Sequence, residues 1–229
     1  MAARQPVLDK TDLFGTLPPD LLEELRGRTA LAKFRRGETI FHQGDPGDSL
    51  YIIESGSVKI VLPSPEGEEG AIIATLLRGD FFGELALLDG APHSATAVAI
   101  EPTEALVLRR DRFDELVENE PALRRALFAS LVMELRRLTG HVEELHFLDL
   151  PGRLASRIVR LARESQPDAT TNVRLDWPFT QSDLAAMIGG TRQTVNRLLA
   201  DMTAQDLVRL ERDALIIPDL DRLARAAER

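Results

Sequence analysis

Short apolar runs separated by turns characterise residues 34–110. Glycines recur throughout this part of the chain, often before an aspartate as in Gly44-Asp45 and Gly79-Asp80. Apolar runs of strand length between such turn signals are typical of β-strands, so this region predicts an all-β roll or barrel. The strand candidates are TIFHQ (39–43), SLYIIE (49–54), SVKIVL (57–62), AIIATLL (71–77), ATAVAI (95–100) and EALVLRR (104–110).

The apolar pattern becomes helical after Arg110. A long helix is predicted there, because apolar residues follow one another at intervals of three and four and form one stripe. The stripe consists of Leu127, Leu131, Leu135, Leu138, Val142 and Leu145. Such a stripe is typical of two helices that pack along each other, whereas arginines on the other faces disfavour docking on the helix's own domain. We therefore predict a homodimer seam, with close packing or a local hinge at Gly140.

Two shorter helices flank these regions. Pro18-Pro19-Asp20 is predicted to start the first, because proline fits the first turn of a helix. Pro151-Gly152 is expected to end the long helix, and another helix is predicted at 153–164. The polar stretch SQPDATTN, residues 165–172, is predicted to be a surface loop.

The segment QSDLAAMIGGTRQTVNRLLA, residues 181–200, has the spacing of a helix-turn-helix. The small Ala185 lies where the two helices would cross, and Gly189 lies where the chain must turn. Val195 and Leu198 would pack the second helix against the first. An ordinary helical hairpin with a solvated polar face is the alternative, and it is less favoured because both the spacing and the side chains agree with DNA binding.

Two threonines are expected to cap these helices. Thr180 precedes the first helix, with Asp183 in the position of a capping box, and Thr191 precedes the second. Arginine can bind guanine through two hydrogen bonds, glutamine can bind adenine, and a helix N-terminus favours a nearby phosphate. The candidate DNA-binding residues are Thr180, Thr191, Arg192, Gln193, Thr194, Asn196 and Arg197.

Two strands are predicted to follow the second helix. The segment VRLERDALIIP, residues 208–218, contains apolar residues on both sides of a turn at Arg212-Asp213. A wing of this kind follows many helix-turn-helix motifs, so the C-terminal part is predicted to be a winged helix-turn-helix.

Charge is distributed unevenly along the chain. The formal net charge of −9 would argue against a nucleic-acid partner if it were uniform. Residues 150–229, however, carry 12 arginines and no lysine against 11 acidic residues, so the excess negative charge lies in residues 1–149. An acidic first part and an arginine-only second part predict two domains with different partners.

Several classes of chemistry find no support in the sequence. The absence of cysteine excludes disulfides, thiolate metal sites and a cysteine nucleophile. The four histidines have no HxH or HExxH spacing, and no phosphate loop or GxSxG motif is present, so we predict neither a metal site nor an enzyme, although a haem held by one histidine stays open. No apolar run has the length of a signal peptide or approaches the roughly 20 residues that span a bilayer, so a cytoplasmic protein without a membrane partner is predicted.

The two halves together resemble the cyclic-AMP receptor protein and fumarate-nitrate regulator (CRP/FNR) superfamily of bacterial transcription factors. The matching segments are GETIFHQGDPGDSLYII (37–53), RGDFFGELALL (78–88), FLDLPGRLA (147–155) and TRQTVNRLL (191–199). The resemblance implies an α+β fold with three parts: an effector-binding, cyclic-nucleotide-binding-like β-roll domain (1–120), a long dimerisation helix (121–149) and a winged helix-turn-helix DNA-binding domain (150–229). It also implies a homodimer that binds a two-fold operator in double-stranded DNA and contacts RNA polymerase.

The segment GELALLDGAPHSAT, residues 83–96, resembles the phosphate-binding cassette of this superfamily. In cyclic-nucleotide-binding members the glutamate binds the ribose hydroxyl, and a later Arg-Ser or Arg-Thr pair holds the cyclic phosphate. Glu84 and Ser94 match this pattern, but His93 replaces the arginine and, when neutral, offers one donor in place of a charged fork. In cyclic-AMP-responsive members two adjacent polar residues of the long helix contact the adenine, and the resemblance places Leu138 and Thr139 of this chain at those positions. The candidate effector-binding residues are Gly83, Glu84, Leu85, His93, Ser94, Leu138 and Thr139.

Three states of the cassette stay open. In the first the effector is cyclic AMP, and in the second it is another cyclic mono- or dinucleotide. In the third there is no small ligand, and Leu85, Leu87 and Leu88 preserve the cassette only as a packed element of the fold. If His93 faces a cyclic phosphate, acidification is expected to tighten binding. The alternative function is a cyclic-nucleotide-binding regulatory subunit that works through protein contacts, with its C-terminal helices as an interaction module.

Overall fold

The computed structural model describes residues 7–8, 11, 14–15, 17–64, 70–212 and 214–227. The chain divides into two compact units, Met1–Arg136 and Arg137–Arg229. The boundary falls within the longest helix.

The first unit contains two four-stranded antiparallel sheets, in the orders β1-β8-β3-β6 and β2-β7-β4-β5. Its elements are α1 (Pro19–Arg28), β1 (Ala30–Phe34), β2 (Thr39–Phe41), β3 (Ser49–Ser55), β4 (Val58–Leu62), β5 (Ala71–Leu76), β6 (Phe81–Phe82), α2 (Glu84–Asp89), β7 (Thr96–Ala99), β8 (Thr103–Arg109), α3 (Arg110–Asn119) and α4 (Pro121–Phe147). All six predicted strands and the first short helix are confirmed. Sequence reasoning missed β1, which is a largely exposed edge strand, and β6, which has only two residues.

The long helix is α4, and it follows α3 after a break at Glu120. Its first part packs on the unit's own core, where Leu123 and Leu127 are buried. The prediction that the seam starts at Leu127 is therefore wrong, because this side chain is already covered within its own chain. Farther along α4, apolar side chains are exposed, including Leu135 and Val142 with 65% and 56% of their surfaces accessible.

The long helix is continuous through Gly140. A Cβ added there would meet no atom of the described residues within 4 Å. Neither the close packing within the chain nor the hinge predicted for this glycine is therefore seen.

The second unit contains the end of α4 and a three-stranded antiparallel sheet in the order β10-β11-β9. Its further elements are α5 (Leu150–Ser165), β9 (Thr171–Asp176), α6 (Gln181–Ile188), α7 (Arg192–Ala204), β10 (Arg209–Leu210), β11 (Ala214–Asp219) and α8 (Leu220–Ala227). The predicted helix-turn-helix and the two strands of the wing are confirmed. Of the predicted wing turn, Asp213 lies outside the described residues.

The junction between α4 and α5 corrects one prediction. The long helix already ends at Phe147, and Pro151-Gly152 belongs to the first turn of α5. Asp149 caps that turn, since its Oδ1 accepts a hydrogen bond of 2.9 Å from the Gly152 amide. Proline lacks the N–H that the first turn leaves unpaired, so this position suits the start of a helix. The predicted loop at 165–172 is also too long, because its last two residues already belong to β9.

Candidate functional site

The first helix of the helix-turn-helix has the predicted capping box. The Thr180 amide donates to Asp183 Oδ2 at 2.9 Å, and the Asp183 amide donates to Thr180 Oγ1 at 3.1 Å. At the other end of α6, Gly189 has φ +72°, a left-handed backbone conformation that residues with a Cβ atom rarely adopt. These two ends fix where α6 starts and where the chain turns towards α7.

The second helix presents a continuous polar face. Thr191 caps it by accepting a hydrogen bond of 3.2 Å from the Thr194 amide, and Thr194 is half-buried. Val195 and Leu198 are buried, so the opposite face of the helix points to solvent. The exposed candidates are Thr191, Arg192, Gln193, Asn196 and Arg197. Two arginines, two amides and a helix N-terminus on one face match the donors and acceptors that DNA offers in its major groove and along its backbone.

Two ion pairs lie in or next to β10, the first strand of the wing. Arg209 binds Asp206 through two hydrogen bonds, of 2.9 and 3.3 Å. Arg174 of β9 pairs with Glu211, which follows β10. All four groups are exposed, so solvent screens both pairs and neither is expected to contribute much to stability.

The cassette starts at a tight turn in the first unit. Gly83 precedes α2 with φ +90°, and a Cβ added there would lie 2.8 Å from the backbone oxygen of Ser49. Both observations require glycine at this position. Glu84 and Leu85 then form the first turn of α2, so the structure brings these three predicted residues together.

A basic residue that sequence reasoning missed holds α2 in place. The guanidinium of Arg110 donates to the carbonyls of Gly47, Ala86 and Leu87 at 2.7, 2.8 and 3.1 Å. The Ala86 carbonyl also accepts a hydrogen bond of 3.1 Å from the Gly90 amide. Ala86 and Leu87 lie in the second half of α2, where the positive guanidinium complements the helix dipole, and the contact to Gly47 ties this helix to the loop before β3. No local pattern could have identified this role, because the partners lie 23 or more positions away in the sequence.

Glu84 is an unusual carboxyl group. Burial raises its pKa to about 7, a hydrogen bond from its own backbone amide opposes the shift, and the charge of Glu134 adds to it. Near neutral pH the group therefore exists in both protonation states. It can accept a hydrogen bond from a ligand hydroxyl when ionised, or donate one when protonated.

His93 is packed inside the domain. Its ring lies parallel to that of Phe41, with centroids 3.6 Å apart, and only 7% of the residue is exposed. Its backbone amide donates to Asp45 at 2.9 Å, and its carbonyl accepts from Gly44 at 2.9 Å. A Cβ added to Gly47 would lie 3.1 Å from the imidazole Cε1, so the loop before β3 also closes over the ring.

The other candidates differ in exposure. Ser94 is exposed, and its carbonyl accepts a hydrogen bond of 3.0 Å from Gln43. Leu85 is 44% exposed, whereas Leu87 is buried, so the leucines of α2 do not all belong to a core. Leu138 and Thr139 are exposed positions of α4 in the second unit.

The titration of His93 makes a testable prediction. Burial lowers the pKa of the imidazole, and Asp45 and Asp48 partly offset this shift. The unfolded chain therefore binds more protons below pH about 6.5, so His93 stabilises the fold fully above that pH and loses this contribution as the pH falls towards its folded pKa. From pH 7.5 to 5.5, we expect the free energy of unfolding to fall less in His93→Gln than in the wild type, measured by urea denaturation.

Glu84 titrates with the opposite sign, because its raised pKa favours the folded state at lower pH. Its contribution is common to both proteins and cancels in the comparison. Parallel pH profiles for wild type and His93→Gln would contradict the depressed pKa.

No group of three or more His, Asp or Glu residues in the described part of the chain could hold a metal ion. Among those same residues, no helix is long and apolar enough to cross a membrane.

Comparison with known proteins identifies both units. Residues 31–120 match the family model of the cyclic nucleotide-binding domain, and residues 152–226 match that of the Crp-like helix-turn-helix domain. The CRP-like cAMP-activated global transcriptional regulator of Mycobacterium tuberculosis is 34% identical over 96% of this chain and 98% of its own. The cyclic AMP receptor protein of Thermus thermophilus is 33% identical over 86% of this chain and 88% of its own. Among solved structures, FixK2 from Bradyrhizobium japonicum has the same fold, with a TM-score of 0.78 and 23% identity over 86% of this chain and 96% of its own.

Proposed function

Since this chain belongs to the CRP/FNR superfamily of DNA-binding transcription regulators, we propose that it acts as a homodimer whose two α7 helices bind the half-sites of one operator. The exposed polar face of α7 carries this proposal, because Arg192, Gln193, Asn196 and Arg197 point away from the helix that supports them. The apolar side chains that α4 leaves exposed supply a surface for the second protomer. RNA polymerase is the further protein partner that we propose.

The test is selection of binding sites from random double-stranded DNA with the purified full-length protein. We expect enrichment of an inverted repeat whose half-site centres lie about 34 Å apart, the length of one helical turn. Enrichment of a single asymmetric site, or of no sequence, would contradict the proposal. The same experiment excludes or supports a regulatory subunit that works only through protein contacts.

We propose a cyclic nucleotide as the effector of the N-terminal domain. Gly83 forms the turn before α2 and Glu84 lies in its first turn, where an ionised carboxylate can accept a hydrogen bond from a ribose hydroxyl. The regulator of Mycobacterium tuberculosis is described as cAMP-activated, and the protein of Thermus thermophilus is described as a cyclic AMP receptor. His93, in contrast, is a buried ring whose pKa is lowered, so it supplies no permanent cation for a cyclic phosphate. The buried ring also makes the imidazolium unfavourable, which weakens the expectation that acidification alone would tighten binding. Cyclic AMP is therefore expected to bind weakly to the wild type.

Replacement of this ring should change the affinity for cyclic AMP. A long arginine side chain can keep its stem against apolar surface while its charged head lies in water, so in His93→Arg we expect the guanidinium to reach the cassette surface and pair with the phosphate. A charge-assisted hydrogen bond contributes about 1.5 to 3 kcal/mol, which corresponds to binding about ten- to a hundredfold tighter. Isothermal titration calorimetry at pH 7.5 measures this change, with His93→Gln as the uncharged control.

The control should bind cyclic AMP no more tightly than the wild type. If the wild type binds cyclic AMP tightly and the arginine adds nothing, then the cassette holds the phosphate by other groups and the role given to position 93 is wrong.

A further inference from the structure

One arginine joins three helices in the second unit. Arg153 lies in the first turn of α5, and each nitrogen of its guanidinium donates to a different backbone carbonyl. Nη2 donates to Leu145 at 2.8 Å, Nε donates to Leu148 at 3.0 Å, and Nη1 donates to Ile188 at 3.2 Å. Leu145 lies in the last turn of α4, Leu148 directly follows that helix, and Ile188 is the last residue of α6.

These three contacts fix both the orientation of α5 and its distance relative to the ends of α4 and α6. The last carbonyls of a helix have no amide partner within the helix, so each of them needs a donor from elsewhere. A guanidinium is planar, and its donors point in fixed directions. The ends of α4 and α6 can therefore both bind the side chain only at one angle to α5.

The position of α6 in turn determines that of α7. The turn between them is closed by a hydrogen bond of 3.0 Å from the Gly190 amide to the Ala185 carbonyl. Val195 and Leu198 of α7 are buried, and the two helices are in contact along this buried face. A side chain that holds the end of α6 therefore also holds the exposed polar face of α7.

On its α4 side, Arg153 binds the helix that carries the proposed dimer seam. The part of α4 that precedes Leu148 carries the exposed Val142 and Leu145, which we place against the second protomer. Arg153 thus lies between the seam, where the two-fold axis would run, and the helix that contacts DNA. The distance between the two α7 helices of a dimer depends on the angle that this side chain sets.

We propose that Arg153 is a positioning residue that determines the spacing between the two half-sites the dimer accepts. This inference rests on the proposed homodimer with two DNA-binding helices. It assigns the arginine no contact with DNA, and it therefore predicts that each half-site is bound equally well with and without it.

The test compares Arg153→Lys with Arg163→Lys, a matched substitution at an exposed arginine near the other end of α5. Lysine keeps the charge, but its single nitrogen cannot reproduce three donors in fixed directions. The probes are duplexes carrying the inverted repeat selected with the wild type, the same repeat with one base pair added or removed at its centre, and one isolated half-site. Binding is measured by fluorescence anisotropy.

One added base pair rotates a half-site by about 35° and moves it by about 3.4 Å, and we expect it to weaken wild-type binding about tenfold or more. In Arg153→Lys we expect this ratio to fall to about threefold, with affinity for the isolated half-site within about twofold of the wild type. Arg163→Lys should behave as the wild type does. Because the ratio is taken within one preparation, it does not depend on the fraction of folded protein.

Two results would overturn the inference. In the first, Arg153→Lys keeps the full wild-type preference for spacing. In the second, Arg153→Lys weakens binding to all probes equally and lowers the salt dependence of binding, which would identify a phosphate contact instead. A wild type that binds every spacing alike would instead contradict the paired binding of half-sites itself, and with it the premise of the inference.

Discussion

The Val142→Glu substitution is expected to convert the proposed dimer into monomers. Val142 is 56% exposed within its own chain although it is apolar, and it lies on the stripe of α4 that we assign to the second protomer. In a two-fold seam each substitution would bury a carboxylate without a partner, which costs several kcal/mol for each ion. Every 1.4 kcal/mol corresponds to a tenfold change in affinity, so we expect a loss of at least about a hundredfold in dimerisation and in affinity for a two-fold operator.

Light scattering at micromolar concentration measures the mass, and fluorescence anisotropy measures operator binding. Ala129→Glu is the matched control, because Ala129 is an exposed α4 residue on the opposite side of the helix from the stripe. The control should remain a dimer and bind the operator as the wild type does. A dimer of unchanged stability in Val142→Glu would place the seam elsewhere.

The stripe also illustrates what the sequence can predict. The period near 3.5 residues correctly predicted a long helix and one apolar face, since both depend only on the order of residues. The period could not predict where along the helix that face stops packing on its own unit and becomes exposed. Leu127 is covered by the core of its own unit, whereas Leu135 is exposed, although both belong to the same apolar stripe. The difference arises from which elements pack nearby, and that depends on the tertiary fold.

The same division applies to the candidate sites. The capping box of α6, the threonine cap of α7 and the glycine turn between them involve neighbours within a few positions, so their spacing was sufficient to predict them. Arg110 and Arg153 act on carbonyls that lie as far as 63 and 35 positions away, and backbone carbonyls have no sequence signature. His93 departs from the pattern that the resemblance implies, but its stacking on Phe41 could be seen only in the folded chain.

The second large effect is expected on base recognition by α7. Arg192 and Arg197 are exposed on the face of α7 that points away from its buried residues, about 1.4 turns apart along the helix. Arginine binds guanine through two hydrogen bonds, and each such contact contributes about 1 to 3 kcal/mol of discrimination against another base. We expect Arg192→Ala and Arg197→Ala each to lower the preference for guanine at one position of the half-site by about five- to 150-fold.

Arg163→Ala is the control for a lost surface charge, because this arginine is exposed on α5 outside the helix-turn-helix. It should leave the base preference unchanged. Selection from random DNA followed by sequencing measures the preference of each variant at every position. If either α7 variant weakens all sequences equally, then that arginine contacts a phosphate rather than a base.

Gln193 lies between these arginines in the sequence, and its amide allows a further prediction about which base α7 recognises. A carboxylate at this position could only accept hydrogen bonds, as from the amino group of cytosine. The amide of Gln193 can both donate and accept, so it can pair with adenine or tolerate several bases. We expect Gln193→Ala to remove a preference for adenine where the wild type has one. A strict requirement for cytosine that survives Gln193→Ala would show that this side chain does not face the base, and that α7 lies in the groove at a different angle.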